Sequence, residues 1–178
     1  MKGHIFNLLE EFIEEASDET TLFKILDACS FDTSKSFVRT ENYPDEQLFE
    51  LVGHAVDALG ITPDQAQFAF GEWIFPRLAS LVPKNMTTYA HPGKFLETVD
   101  HIHKVELKKL YPDATPPSFD YKTISDSQAE LVYTSERNLV KLVEGVLQGV
   151  AKYFSTQIEV ETIPQPELGN TKFVLRYV

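Results

Sequence analysis

Residues 129–154 read AELVYTSERNLVKLVEGVLQGVAKYF, and the change of pattern inside this stretch decides the fold. The first six residues are typical of a strand, 129–134, whereas 136–154 carry apolar residues at helical spacing and predict a helix. A second strand is predicted at 119–125, joined to the first by the turn Ser125-Asp126-Ser127. The stretch therefore predicts a hairpin that runs directly into a helix.

The chain around this stretch completes an α+β fold. Two further strands are predicted around 158–162 and 173–177, with PQPELGN as their hairpin connection. Five helices are predicted upstream: 5–15, 20–28, 45–59, one that begins at Pro63, and 94–110. Thr62 should cap the helix that begins at Pro63, and Pro76 should kink or end it. We expect one domain, 1–178, with a helical N-terminal part, 1–60. The remainder, 61–178, should carry an antiparallel four-stranded sheet with flanking helices.

Composition excludes several classes of function. The formal net charge of −11 argues against a nucleic-acid partner, because such binding depends on neutralising phosphates. No apolar run is long enough to insert into a membrane, and the N-terminus is too charged for a signal peptide. Cys29 is the only cysteine, which excludes a disulfide within the chain and a cysteine-based zinc or iron–sulfur site. We expect a cytoplasmic protein, with Cys29 as a buried thiol or a redox sensor.

His103 lies on the apolar face of its predicted helix. At helical spacing the stripe comprises Leu96, Val99, His103, Leu107 and Leu110, while His101 falls on the polar face. An inward imidazole is either a hydrogen-bonded core residue or a metal ligand, and the core interpretation is the commoner one for a lone histidine.

Tyr133, Ser135 and Arg137 form a second candidate site. On a strand the first two side chains point the same way, and the arginine would open the following helix. A guanidinium, two hydroxyls and a helix N-terminus favour a carboxylate ligand. The alternative is equally compatible with the residues: a capping serine, an ordinary strand tyrosine and a solvated arginine.

Taken together, these motifs resemble a known family. The chain opens Met1-Lys2-Gly3-x-Ile5-Phe6 and continues with Asp100-x-x-His103, Ala114-Thr115-Pro116-Pro117-x-Phe119 and Tyr133-x-Ser135-x-Arg137. In this order and spacing the motifs are similar to those of the H-NOX family, the haem nitric oxide/oxygen binding domains, which also form the haem domain of the soluble guanylate cyclase β subunit. The resemblance covers essentially the whole chain and is to the stand-alone bacterial type.

The resemblance implies a haem b cofactor buried between a distal part, 1–60, and a proximal part, 61–178. His103 would be the axial iron ligand, and Tyr133, Ser135 and Arg137 would hold the propionates. Ile5 and Pro117 resemble the residues that bend the porphyrin. The stretch from His103 to Tyr111-Pro112 is one residue longer than the resemblance implies.

The resemblance also implies which gas is bound. Oxygen-binding members carry a distal tyrosine, and the corresponding residue here is Leu142. The other distal positions are apolar as well: Leu9, Ala66, Phe70 and Val146. Because this set offers no hydrogen-bond donor, we expect nitric oxide and carbon monoxide to bind in preference to oxygen.

The implied function is a haem-based nitric oxide sensor rather than an enzyme. It would signal to a separate protein, a histidine kinase or a cyclic-di-GMP enzyme, through release of His103 from the iron. The alternative is a regulatory interaction module without haem; an electron carrier or haem enzyme would need a second ligand or a polar distal group. The remaining histidines, His4, His54 and His91, are scattered without paired ligand spacing.

Overall fold

The computed structural model describes residues 1–82 and 89–178. They form two compact units, Met1–Phe70 and Gly71–Val178, and the dividing point lies inside the fourth helix. The first unit is helical, and the second holds an antiparallel four-stranded sheet with helices. The predicted α+β fold class is confirmed.

The helices of the first unit begin and end at recognisable signals. They are α1 (Gly3–Ala16), α2 (Glu19–Ala28), α3 (Asp45–Leu59) and the start of α4 (Pro63–Ala79). Gly60 ends α3 with a φ of +65°, a conformation that favours glycine. At the start of α4, Thr62 Oγ1 accepts from the Gln65 N–H at 3.2 Å, and Gln65 Oε1 accepts from the Thr62 N–H at 2.8 Å. This reciprocal capping box confirms Thr62 as the cap.

The core of the first unit is apolar and partly aromatic. The rings of Phe6 and Phe37 stack with centroids 4.3 Å apart, and Tyr43 packs edge-on against Phe37 at 4.9 Å. Further buried side chains come from all four helices: Leu8, Leu9, Ile13, Leu22, Ile25, Leu48, Leu51, Ala55 and Phe70. Burial of these faces supplies the driving force that holds the helices together.

The sheet of the second unit has the order β1-β2-β4-β3. Its strands are β1 (Ser118–Ser125), β2 (Gln128–Thr134), β3 (Ile158–Gln165) and β4 (Asn170–Tyr177). A short 3₁₀ turn, Pro166–Leu168, and Gly169 join β3 to β4, which confirms the predicted hairpin. Tyr133 of β2 pairs with Phe119 of β1 on one side and with Thr171 of β4 on the other, so it lies on a central strand.

The long helix α8 (Val140–Tyr153) packs tightly against the second half of α4. A Cβ added to Gly71 would lie 2.2 Å from the Leu142 carbonyl oxygen, and one added to Gly149 would lie 2.7 Å from the Phe75 Cβ. Both positions need glycine because backbone approaches backbone. α4 continues through Pro76 to Ala79, so of the two expected outcomes, a kink or an end at the proline, the helix does not end there.

The predicted helix over 94–110 is interrupted once, at residues 97–98, and contains a π turn. α5 (Pro92–Leu96) precedes the interruption, and α6 (Val99–His101), a π-helical turn (Ile102–Glu106) and α7 (Leu107–Leu110) follow it without a break. A π turn closes hydrogen bonds over five residues instead of four, so it holds one more residue than an α-helical turn. The extra residue noted in the sequence after His103 therefore falls where the helix widens.

No helix in the described ranges 1–82 and 89–178 is both long and apolar enough to span a bilayer.

Candidate functional site

His103 lies inside the π turn and has a defined orientation. Its Nδ1 is 3.0 Å from the carbonyl oxygen of Pro117. A carbonyl oxygen can only accept a hydrogen bond, so Nδ1 carries the proton and donates the hydrogen bond to Pro117 O. The lone pair is then on Nε2. Burial lowers the pKa of His103, although the Pro117 hydrogen bond and Asp100 oppose that effect. The side chain is therefore a neutral imidazole with a fixed tautomer.

The burial of the surrounding helix residues differs from the predicted stripe. Leu96 is buried, and Val99 and Leu107 are half-buried, but Leu110 is 59% exposed. Ile102 is buried instead, although the α-helical stripe did not include it. The π turn accounts for Leu110, because it rotates every later residue relative to an ideal α-helix. Ile102 comes three residues after Val99 and therefore lies on the same helix face as Val99. His101 is exposed.

The segment 115–119 contacts three of the predicted proximal site residues, His103, Tyr133 and Arg137. His103 bonds Pro117 O, and its ring lies 5.5 Å from that of Phe119. The Phe119 ring is in turn 5.5 Å from that of Tyr133. Arg137 donates from its two terminal nitrogens to Thr115 O at 2.9 Å and to Thr115 Oγ1 at 3.2 Å. The loop between α7 and β1 thus connects the histidine to the tyrosine and to the arginine.

Tyr133, Ser135 and Arg137 are gathered around one turn, but the turn differs from the prediction. The predicted helix 136–154 begins only at Val140, so Arg137 lies in the turn before α8 rather than at its N-terminus. Ser135 Oγ accepts from the Arg137 N–H at 3.2 Å, and Tyr133 Oη accepts from the Leu139 N–H at 3.0 Å. The two hydroxyls therefore hold the backbone that carries the guanidinium.

Asp100 has a structural role that the sequence analysis did not assign. Its Oδ1 accepts from the Phe119 N–H at 3.2 Å, and its Oδ2 pairs with Lys104 Nζ at 2.7 Å. Partial burial raises the pKa of this carboxyl, but the hydrogen bonds from Lys104 and Phe119 outweigh it and leave the pKa below its ordinary value. Asp100 thus ties the start of β1 to the histidine segment. Its place in the Asp100-x-x-His103 motif was the only signal.

The remaining predicted site residues lie in both units. In the first unit, Leu9 and Phe70 are buried, Ile5 and Ala66 are half-buried, and the Phe70 ring packs 5.4 Å from Phe12. In the second unit, Leu142 and Val146 are half-buried and lie one turn apart on α8, beside the close contact at Gly71.

Two other histidines have ordinary structural partners. His4 Nδ1 is 3.1 Å from an Arg39 guanidinium nitrogen, and burial together with that cation lowers the pKa of His4. His91 Nδ1 accepts from the Gly93 N–H at 3.1 Å and so caps α5. Neither belongs to the cluster around His103.

The sequence matches a described protein family over most of its length. Residues 2–162 match the family described as Haem-NO-binding. The chain therefore belongs to the haem-NO-binding, or H-NOX, family, whose members are haem-containing gas sensors rather than enzymes. Among proteins with curated functional descriptions, none matches the chain.

Solved H-NOX structures share the fold. A Shewanella oneidensis H-NOX protein in the Fe(II)NO state is 22% identical with a TM-score of 0.89, covering 100% of this chain and 99% of that one. Its triple mutant in the Fe(II) state is 22% identical with a TM-score of 0.90, covering 100% and 96%. The unliganded Fe(II) protein from K. algicida is 20% identical with a TM-score of 0.86, covering 100% and 97%.

Proposed function

We propose that this chain is a haem-based nitric oxide sensor with His103 as the axial iron ligand. The hydrogen bond from His103 Nδ1 to Pro117 O carries the proposal. Histidines that bind metals usually donate the other ring N–H to a carbonyl or carboxylate, which sets the tautomer and the ring orientation. Because the pKa of His103 is lowered, the ring stays neutral and the lone pair on Nε2 is available to bind iron. Bound haem would supply a ferrous iron to which a diatomic gas can bind.

The haem propionates would be held by Tyr133, Ser135 and Arg137. Arg137 provides the cation, and a guanidinium forms a bidentate, charge-assisted pair with a carboxylate. Its present contacts to Thr115 show that the side chain extends toward the loop that also touches His103. Haem b fits this sequence, because its single cysteine cannot form the paired thioether links of a c-type haem.

The gas would bind among apolar side chains. Two residues would press on the porphyrin: Ile5 from the distal part, 1–60, and Pro117 from the proximal part, 61–178. The proposed distal set, Leu9, Ala66, Phe70, Leu142 and Val146, carries no side-chain donor. Without a donor, bound oxygen lacks stabilisation of its partial negative charge, so nitric oxide and carbon monoxide are preferred. The Shewanella oneidensis protein has been solved with both of these ligands.

The signal would leave through the segment that carries the histidine. His103, released from the iron when nitric oxide binds, could move with the short helices on either side of the π turn. A separate cytoplasmic histidine kinase or cyclic-di-GMP enzyme would respond if it prefers one arrangement. The coupling needed is of the usual size, about 1–3 kcal/mol. The π turn supports this mechanism, because π-helical turns occur frequently at functional sites.

Spectra of the ferrous protein test the proposal. The purified chain should show a haem Soret band that shifts with nitric oxide and with carbon monoxide, and it should form no stable oxygen complex. His103→Gly should lose haem or its normal spectrum and recover it with added imidazole, whereas the exposed control His101→Ala should behave as the wild type. Absence of a Soret band after haem reconstitution would favour a haem-free regulatory module, and a normal His103→Gly spectrum would exclude His103 as the ligand.

A further inference from the structure

A second group of metal-ligating side chains lies in the first unit. One ligand atom each from Cys29 (Sγ), Glu50 (a carboxylate oxygen) and His54 (a ring nitrogen) all lie within 4.8 Å of one another, and all three residues are half-buried. None of them belongs to the proposed haem site. Thiolate, carboxylate and imidazole are the three ligand types that zinc uses in proteins.

The fold explains why these residues meet. Glu50 and His54 are one turn apart on α3, and such pairs lie on the same helix face. Their Oε1 and Nε2 atoms are 3.9 Å apart. Cys29 directly follows α2 as its C-terminal cap, and α2 packs against α3. The pair therefore lies beside the point where the chain leaves α2.

Groups outside the triad orient two of its members. Glu50 accepts hydrogen bonds from the Ser30 N–H and from Ser30 Oγ, the latter at 2.9 Å. These two bonds hold the Glu50 carboxylate in one orientation. The Cys29 thiol donates to Ile25 O at 3.4 Å. Hydrogen bonds of this kind from outer residues orient metal ligands.

We propose that Cys29, Glu50 and His54 bind a zinc(II) ion, with water as the fourth ligand. Zinc bonds of about 2.0–2.3 Å place tetrahedral ligands roughly 3.3–3.8 Å apart, so the side chains need to close by only about 1 Å. Binding replaces the S–H bond by a zinc–sulfur bond, and the thiol proton passes to solvent. A divalent cation between them would offset the repulsion between the Cys29 thiolate and the Glu50 carboxylate.

A single cysteine rules out a zinc site built from several thiolates, and His54 has no second histidine at paired ligand spacing. This site needs only one thiolate, and its carboxylate and imidazole come from a helical i, i+4 pair. The ion would tie the end of α2 to α3 and thereby fix the chain between them.

Metal content and X-ray absorption of the haem-loaded full chain test the site. After incubation with zinc(II) and dialysis, the protein should retain one zinc per chain in addition to haem iron. Absorption at the zinc edge should show one sulfur ligand and otherwise nitrogen or oxygen. Zinc is distinguished from iron in both measurements, so the result does not depend on the proposed gas sensing.

Variants separate the site from adventitious binding. Cys29→Ser, Glu50→Gln and His54→Gln should each lower zinc affinity more than about 100-fold, and Ser30→Ala about tenfold, as expected for an orienting residue. The matched controls are Asp57→Asn, which removes an exposed carboxylate from the same helix, and His101→Gln, which removes an exposed histidine. Both should bind zinc as the wild type does. Substoichiometric zinc in the wild type, or unchanged affinity in Cys29→Ser and His54→Gln, would overturn the proposal.

Discussion

Two helical regions of the second unit differ sharply in regularity. α8 runs unbroken from Val140 to Tyr153 and packs against α4 through two glycines. The segment 92–110 is divided into α5, α6, a π turn and α7, and it ends with Leu110 exposed. α8 contributes six buried residues, including Leu147 and Val150. In the segment 92–110, α5 is buried at residues such as Phe95 and Leu96, whereas residues 97–110 contribute only Ile102.

The proposed ligand His103 and the regular, tightly packed helix α8 therefore lie in different parts of the second unit. A regular helix that packs closely against another helix has little freedom to shift, because the packed atoms leave no space for movement. His103 lies among residues 97–110, where only Ile102 is buried and where the helix contains the π turn. Regions of low local stability are the ones that move in regulation.

The largest effect should come from breaking the α4–α8 contact. Gly71→Ala places a Cβ 2.2 Å from the Leu142 carbonyl oxygen, which is backbone and cannot turn aside. We expect a loss of about 3 kcal/mol in the free energy of unfolding, the upper end of the usual cost of overpacking, measured by chemical denaturation. The matched control is Gly53→Ala in α3, where an added Cβ meets nothing within 4 Å. That variant should gain about 0.5–1 kcal/mol. Equal behaviour of the two variants would contradict the close contact.

The second effect concerns haem affinity rather than folding. Arg137→Ala should weaken haem binding by about 1.5–3 kcal/mol, because a propionate loses a hydrogen bond to a charged group. Competition for haem with a second haem-binding protein measures this loss. Arg176→Ala is the control, since Arg176 is an exposed residue paired with Glu161 on the sheet. If Arg137→Ala binds haem as tightly as the wild type does, Arg137 in the turn before α8 does not hold a propionate.

A smaller effect should follow from loosening the irregular segment. Asp100→Ala removes the acceptor for the Phe119 N–H and should cost about 1.5 kcal/mol of stability at neutral pH. The pKa of Asp100 is lowered in the folded protein, so its contribution is present above the ordinary value of 3.8 and is lost as the pH falls below it. Denaturation curves of wild type and variant should therefore converge in acid. A difference that persists undiminished at low pH would assign the cost to lost packing.

The smallest effect should be at the end of α7. Leu110→Ala should change stability by less than about 0.5 kcal/mol, because the side chain is 59% exposed. Leu96→Ala, a buried residue in the same predicted stripe, should cost about 2–5 kcal/mol. Thermal or chemical denaturation of the two variants compares them directly. A large loss of stability in Leu110→Ala would instead indicate that Leu110 is buried, as a single regular helix over 94–110 predicts.

Much of the fold followed from the sequence because local signals were strong. Thr62-Pro63 and Gly60 marked helix boundaries, and Ser125-Asp126-Ser127 marked the first hairpin. Elements with a regular period and a clear cap were predicted to within a few residues.

The irregular parts could not be predicted from periodicity. A π turn does not change the composition of a helix, so the stripe through His103 still read as α-helical and placed Leu110 inside. The start of α8 was also predicted too early, since Ser135-Glu136-Arg137 looks like a cap; in the structure Asn138 has a φ of +47° and the helix follows it. The contacts of Thr115 and Phe119 depend on a loop whose path only tertiary structure defines.

The two outer strands of the sheet, β1 and β3, carry residues that oppose pairing with a strand from another chain. An exposed strand edge offers unpaired N–H and C=O groups to any other chain, and proline, charge and bulges are the usual protection. β3 carries Pro164, which has no N–H to offer, together with exposed Glu159 and Glu161. β1 carries exposed Lys122 and an irregularity between Thr123 and Ser125. Both margins of the sheet thus carry features that disfavour addition of a fifth strand, whether in aggregation or in partner binding.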